Sequence, residues 1–415
     1  MLPWSASWTG ICCEAEFCGG TGLEVIRYAE LTWPEVERLP RDLPLLIPLG
    51  LDGYGYAAMA GAGPSRNGTR GSRSDAEGDR RAVILPAIPY GFRHADGDAL
   101  GELAAGPGLL RRVLLGVQRE LKVQGFEHIT FLNGHGGQGL NTRGLVVLDV
   151  PLQRRVGLEI PQDLSKRVVV ISTGHIEQHG YHLPLNTDSL IVEAIAQGLR
   201  ARAPGQVFCL PVWPYGVSTH TREFPGTLNL GGRIFEDLFV RIVDELVKRG
   251  AEMIYFSNGH GGNHSFLVNV VKYAGERHPT TFVATEWLHT TGPALQYYRQ
   301  SQQGGMGHAG ELETSYILHL RPDLVRMDRA TTETDFVSTR SYFMDWVEGG
   351  KLIANPPWGD DTTSGVYGDG RLGTAEKGRL WLAAAVEERL EILQEIRQQH
   401  TRRQERRAIR REKLC

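Results

Sequence analysis

Residues 173–188, TGHIEQHGYHLPLNTD, place histidine and carboxylate side chains at spacings that suit one shared site. Glu177 and His179 are two apart, so in extended chain their side chains leave on the same side. Asp188 ends a Gly- and Pro-containing loop that can fold back, and its carboxylate could bridge two cations. His260 sits in NGHGGN, residues 258–263, whose glycines allow the backbone turns needed to aim an imidazole inward. Further on, GHAGELETS supplies His308, Glu311 and Glu313. Imidazole and carboxylate together suit zinc, manganese or iron, and such mixed sets are common where a metal-activated water is the nucleophile. Any one of these residues alone has a structural explanation. As a set they fall where α/β active sites form.

The elements that must carry these residues can be read from the apolar pattern. VVVIS (168–172), VFCLP (207–211), MIYFS (253–257) and TTFVAT (280–285) read as strands buried on both faces. SLIVEAIAQGLRARA and RIFEDLFVRIVDELVKRG read as helices, the second ending at Gly250, and another helix is expected after Asn263. Alternating strand and helix implies an α/β fold with a mainly parallel sheet covered on both sides.

The pattern occurs twice. LPAIPYG returns as LPVWPYG, so that Pro86, Tyr90 and Gly91 match Pro211, Tyr215 and Gly216. Asn133, Gly134 and His135 match Asn258, Gly259 and His260 at the same offset, 125 positions. Two motifs in register imply a duplicated unit of about domain size. At that offset Asp52 stands opposite Glu177, Tyr54 opposite His179 and Gly63 opposite Asp188, so the first copy is expected to hold no two-metal cluster. The resulting division is an N-terminal extension (1–23), a degenerate copy (24–150), a catalytic domain (151–395) and a basic helical tail (396–415). Residues 61–80 read as a polar loop.

Composition narrows the class. The 415 residues are 41% hydrophobic and 22% charged with a formal charge of -3, which gives no sign of a nucleic-acid partner. Five cysteines, Cys12, Cys13, Cys18, Cys209 and Cys415, suggest reduced thiols and a cytoplasmic setting. No signal peptide is recognised, and no apolar run reaches the ~18 residues of a membrane span. A serine nucleophile has no G-x-S-x-G elbow, Cys209 lies inside an apolar strand, and no G-x-G-x-x-G follows a strand.

Between about residues 160 and 390, GHIEQHGYHLPLNTD, PYGVSTHTREFPGTLNL, NGHGGN, HAGELETS and SGVYGDGRLGTAEKG resemble, in order, the motifs of the creatininase family of metal-dependent hydrolases. The resemblance implies a three-layer α/β/α creatininase-like domain, here duplicated in tandem, and a centre of two divalent ions (Zn, Mn or Fe). It implies Glu177, His179, Asp188 and His260 as ligands, with Asp188 bridging and Glu313, or else Glu311, completing the set. His308 would be the catalytic histidine, with Glu177 serving catalysis as well as the metal. Creatinine hydrolases carry a glutamate two residues after the NGH histidine, and this chain has Gly262. The expectation is therefore a C–N hydrolase acting on a cyclic amide, formamide or small peptide-like molecule, placed with enzymes of C–N bonds other than peptide bonds. A hydrolase opening a cyclic keto-sugar or keto-cyclitol and a non-catalytic ligand-binding scaffold are the alternatives. Tyr215, His220, Trp287 and Asn263 are the candidate substrate contacts, with Trp213 and Trp358 as further aromatic candidates. The partner is a small molecule, and a homo-oligomer is expected in which the N-terminal copy packs as a pseudo-subunit.

Overall fold

A computed structural model of the chain describes residues 24–50, 81–92, 103–134, 142–149, 160–161, 163–289, 292–347 and 350–413. In the first half β1 (Glu24–Arg27), β2 (Leu45–Leu49), β3 (Arg81–Ile84), β4 (Ile129–Asn133) and β5 (Val147–Asp149) form a parallel sheet in the order β1-β3-β2-β4-β5. In the second, β6 (Val168–Thr173), β7 (Val207–Cys209), β8 (Met253–Asn258) and β9 (Phe282–Thr285) form a parallel sheet in the order β7-β6-β8-β9. The strands lie where the apolar runs place them. β7 stops two residues early, before Pro211, which has no N–H to give a ladder.

A short helix α1 (Trp33–Glu37) and α2 (Pro107–Val123) belong to the first half. The second half carries α3 (Thr187–Arg202), α4 (Gly232–Lys248), α5 (His264–Arg277), α6 (Glu311–Leu320) and α7 (Ala375–Glu412). Side-chain alternation in β6 and β8 builds three layers. Val168, Val170 and Tyr255 pack with Ala196 and Leu199 of α3 and Leu393 and Ile396 of α7. Val169, Ile171, Ile254 and Phe256 turn the other way, onto Phe239 and Ile242 of α4 and Leu267 and Val270 of α5. That second core runs on without a break into Val113, Leu114 and Val117 of α2 and Ile47 and Leu49 of β2. Each fully buried aliphatic side chain there contributes roughly 1.5–3 kcal/mol, so the halves stabilise one another through ordinary burial.

The halves share an arrangement. β3-β2-β4-β5 and β7-β6-β8-β9 have the same order, with β1 as an extra edge strand. α2 and α4 start at 107 and 232 and end at 123 and 248, both differences being 125. Each helix is preceded by a glycine in left-handed backbone, Gly106 (φ 86°) and Gly231 (φ 88°), a conformation that costs glycine little.

The tail proves to be no separate segment. α7 runs unbroken from 375 to 412, so a boundary at 395/396 falls inside one helix. Ile396 and His400 are buried, and Arg397 donates to the carbonyls of Lys166 and Gln206; only from residue 401 is the helix face largely solvated. The polar loop 61–80, the clustered cysteines Cys12, Cys13 and Cys18, and Cys415 lie outside the described residues. Cys209 is buried in β7, and burial pushes its thiol up to about 11, as suits an inert core residue.

Arg389 fastens α7 to the sheet. Its guanidinium is fully buried, with Nη2 2.5 Å from Glu286 Oε1 and Nη1 3.0 Å from Glu388 Oε2, and it donates to the carbonyl of Leu288. Replacing it strands a buried carboxylate, which costs about 3–5 kcal/mol. Arg389→Met is therefore expected to lower the denaturant midpoint of unfolding by that amount of stability; a midpoint unchanged from wild type would show the network to be dispensable.

Candidate metal centre

The proposed ligands arrive from four strand or helix ends. β6 stops at Thr173, and the chain continues extended, with Leu228 N–H donating to the Ile176 carbonyl and Glu177 N–H to the Leu185 carbonyl. The loop then returns so that Asp188 lies in the first turn of α3, where the helix dipole favours a negative charge. His260 follows β8. Gly259 packs so closely on this turn that a Cβ there would sit 2.8 Å from the Asp188 carbonyl oxygen, which accounts for the glycine of the NGH motif. His308 precedes α6 and Glu313 occupies its first turn. Between them Ala309 has φ 52°, the one non-glycine residue in left-handed backbone among those described, and its N–H donates to Glu313 Oε2 at 2.6 Å.

These turns bring Glu177, His179, Asp188, His260, His308 and Glu313 together, all buried. His260 Nδ1 lies 3.1 Å from both Glu177 Oε1 and Asp188 Oδ2. His179 Nε2 lies 3.1 Å from Asp188 Oδ1 and 3.7 Å from Glu313 Oε2. Each imidazole gives its other nitrogen to a backbone carbonyl: His179 Nδ1 to Glu177 O (3.0 Å), His260 Nε2 to Val217 O (3.0 Å) and His308 Nε2 to Gln178 O (2.7 Å). Those carbonyls can only accept, so the bonded nitrogens carry protons and the opposite nitrogens face the carboxylates. Nitrogen lone pairs and carboxylate oxygens lie in contact only with a positive charge between them, whether proton or cation.

The electrostatics express the same pull. Burial opposes charge on His179, yet Asp188, Glu313 and Glu177 raise it to about 9. Burial likewise opposes charge on His260, but Glu177 and Asp188 hold it well above the ordinary histidine value. Burial would raise Glu177, and His260 and His308 hold it well below the usual carboxylate range. Three carboxylates outnumber the two protons that His179 and His260 could take. Glu177 Oε1 and Asp188 Oδ2, although close to His260, are not aligned for hydrogen bonds and are left without a partner. Orphaned carboxylate oxygens beside oriented imidazoles fit divalent cations. Among the described residues three overlapping sets of ligand atoms lie close together, His175, Glu177 and His260; Glu177, His179 and His308; and His179, Asp188 and Glu313; Asp188 Oδ2 also lies 3.1 Å from His260 Nδ1.

Other expected residues separate by position. Glu311 is engaged elsewhere, accepting from Gln300 and Ser301 N–H and pairing with Lys377 Nζ at 2.5 Å. Tyr215 and Trp213 belong to the buried core and do not line the cavity; the Tyr215 hydroxyl donates to the Pro86 carbonyl across the halves. Asn263 is also interior, accepting from Val217 N–H and donating to the Gly174 carbonyl. Both polar groups serve the fold. His220, Trp287 and Trp358 do line the cavity. Asp52, Tyr54, Gly63 and His135 of the first copy lie outside the described residues.

Three residues near the cluster were not expected. His175 continues the alternation of Glu177 and His179, a signal present in the sequence; its Nδ1 accepts from Gly216 N–H, and burial lowers it to about 3. Thr221 donates to Glu177 Oε2 at 3.1 Å, and His289 Nε2 lies 3.7 Å from Glu313 Oε1. Neither stands out by type or spacing.

The cluster opens to a cavity of about 870 Å³, near the upper end of ligand-sized pockets. Trp287, Phe336, Tyr342, Phe343, Trp346 and Trp358 form much of its wall, and no lysine or arginine occurs among the described lining residues. No helix among the described residues is long and apolar enough to cross a membrane.

A family model described as creatininase, creatinine amidohydrolase, matches residues 29–146 and 159–393. The chain is 29% identical over 227 residues to the mycofactocin precursor peptide peptidase of Mycobacterium ulcerans (strain Agy99), covering 53% of this chain and 82% of that protein. It is 32% identical over 177 residues to a creatinine amidohydrolase of Pseudomonas putida, covering 39% and 67%. It is 26% identical over 171 residues to the 3-dehydro-scyllo-inosose hydrolase of Thermotoga maritima, covering 39% and 53%. With both halves matched and the cluster assembled on the shared motifs, the chain belongs to the creatininase family.

Proposed function

We propose that the chain is a metal-dependent hydrolase of C–N amide bonds, with two divalent cations, zinc, manganese or iron, held by Glu177, His179, Asp188, His260 and Glu313. The observation that carries this reading is the orientation of three imidazoles by backbone carbonyls, which turns their free nitrogens toward shared carboxylates. Bound divalent ions supply Lewis acidity and bring the pKa of water toward neutrality. Asp188, with one oxygen beside His179 and the other beside His260, would be the carboxylate shared by both cations. His308 lines the cavity with Nδ1 3.4 Å from Glu177 Oε1 while Nε2 is tied to Gln178 O, and burial lowers its pKa, keeping it neutral. Its Nδ1 can therefore take the proton of the attacking water and pass it to the departing nitrogen. Water is added across the bond: oxygen ends on the carbonyl carbon, and the proton ends on the amine.

The cavity favours a substrate class. A ring the size of creatinine fills a fraction of about 870 Å³, and aromatic walls without lysine or arginine suit an apolar, uncharged or cationic amide such as a short peptide. A peptidase among the relatives supports keeping peptide bonds within the range, which widens the expectation drawn from sequence. A polyhydroxylated keto-cyclitol would leave those walls unmatched. The two halves are read as tandem copies in which the first has kept the packing role.

The residue at 262 also weighs against creatinine. A Cβ there would lie 2.5 Å from His260 Nε2 and would also collide with the Val217 carbonyl, the group that orients His260. Gly262→Glu is accordingly expected to weaken cation binding about tenfold or more, measured by chelator competition; tighter binding would mean that the glutamate has room to ligate. His260→Ala or Asp188→Ala should cut turnover at least about a hundredfold while leaving the circular dichroism spectrum intact. Elemental analysis of gently purified protein should find up to two divalent ions per chain, and a metal-free, cation-refusing protein would leave the scaffold reading standing. Across a panel of aromatic dipeptides, N-formyl amides, lactams and keto-cyclitols, kcat/KM should be highest for the apolar peptide-like amides; preference for creatinine or a keto-cyclitol would reject the substrate class.

A further inference from the structure

We infer that Gln124, at the end of α2 in the N-terminal half, is a positioning residue for Glu177 in the other half, acting through a chain of hydrogen bonds between them. Its side-chain amide spans the Gly226–Thr227 dipeptide of the 214–230 segment, holding the N–H at one end and the carbonyl at the other. Nε2 donates to the Thr227 carbonyl at 2.9 Å, and Oε1 accepts from Gly226 N–H at 2.8 Å and from the Tyr28 hydroxyl at 3.1 Å. With the peptide so held, the Thr227 hydroxyl accepts from Gln178 N–H at 3.1 Å, beside Glu177 in the chain. It also lies 3.4 Å from Thr221 Oγ1, which in turn lies 3.1 Å from Glu177 Oε2.

Hydroxyl chemistry sets the direction. A carboxylate only accepts, so Thr221 spends its single proton on Glu177 and must accept from Thr227 and from Ser218, whose Oγ is 2.6 Å away. The order is Gln178 N–H to Thr227, Thr227 to Thr221, Thr221 to Glu177. Glu177 is thus fixed by its backbone neighbour and by one carboxylate oxygen, leaving Oε1 toward His260 and His308. The N-terminal half braces the same loop a second time: Leu31 and Ala29 carbonyls accept from Leu185 and Asn186 N–H at 2.9 and 3.0 Å, just ahead of Asp188. By contrast, the Arg112–Asp237 ion pair joins α2 to α4 at the surface and touches none of these groups. The first copy, on this account, contributes geometry to a centre built from the second copy's residues.

The role rests on the cation-binding reading above, and the test separates the two. Mn²⁺ and Zn²⁺ affinities of the full chain are measured by chelator competition, beside thermal melts of the metal-free protein. Thr221→Val should weaken binding about 10- to 100-fold, with Thr221→Ser restoring it. Gln124→Met should weaken it about 3- to 30-fold with little change in the melt, and should add nothing in the Thr221→Val background. Gln124→Glu, which keeps the acceptor for Gly226 and loses the donor to Thr227, should behave likewise and serves if the methionine variant folds poorly. Arg112→Ala should bind as wild type does. Unchanged affinity in both Gln124 variants, or losses that add fully in the double variant, would overturn the positioning role alone. A wild-type chain that binds neither ion would overturn the hydrolase reading and this role with it.

Discussion

Buried carboxylates facing imidazole lone pairs are the constraint around which this molecule is organised. Two like charges 4 Å apart repel by about 4 kcal/mol at an effective dielectric near 20, and Glu177, Asp188 and Glu313 are withdrawn from water that could screen them. Positive charge is therefore required at the cluster, and three backbone carbonyls dictate which imidazole nitrogens face it. The carbonyls belong to residues 177, 178 and 217, so the loops that carry or flank the ligands also set their tautomers. A ligand loop of this kind tolerates little freedom, which explains glycines at close approaches such as Gly259 and left-handed backbone at Ala309.

Holding that loop is a task shared by both halves. The core beneath β6 and β8 is continuous with α2 and β2, and main-chain bonds from residues 29 and 31 reach the segment before Asp188. The Gly106 and Gly231 helix starts show how closely the backbone arrangement is kept between halves. The same economy places α7 across the other face, where Arg389 answers Glu286 and the supposed tail continues the core as far as His400.

The cavity wall draws on a different part of the chain. The cavity wall is built largely from residues 336–361, far in sequence from the ligand loop and mostly irregular in backbone. Aromatic rings there present apolar surface to the cavity without touching the residues that orient the imidazoles.

Apolar periodicity is enough to place β6 to β9, α3, α4 and α5 and the parallel α/β class, and motif matching gives the 125-residue recurrence and the residues that meet at the cluster, with Glu311 left beside Glu313. The elements follow from local periodicity; Glu177, His179, Asp188 and His260 each have a structural explanation singly and point to a cation only as a set, while the choice of His308 and Glu313 rests on the family resemblance. Which polar groups face the centre and which serve the core depends instead on contacts between segments remote in the chain. Tyr215 and Asn263 read as substrate contacts because phenol and amide groups can do either job, and their directions depend on Pro86, Val217 and Gly174, distant in the chain. Glu311 and Glu313 share a helix turn and a side chain, yet Lys377 claims one and His179 faces the other. Thr221 and Gln124 are ordinary in sequence, since a hydroxyl or amide acquires meaning only from the partner that the fold sets within about 3 Å of it.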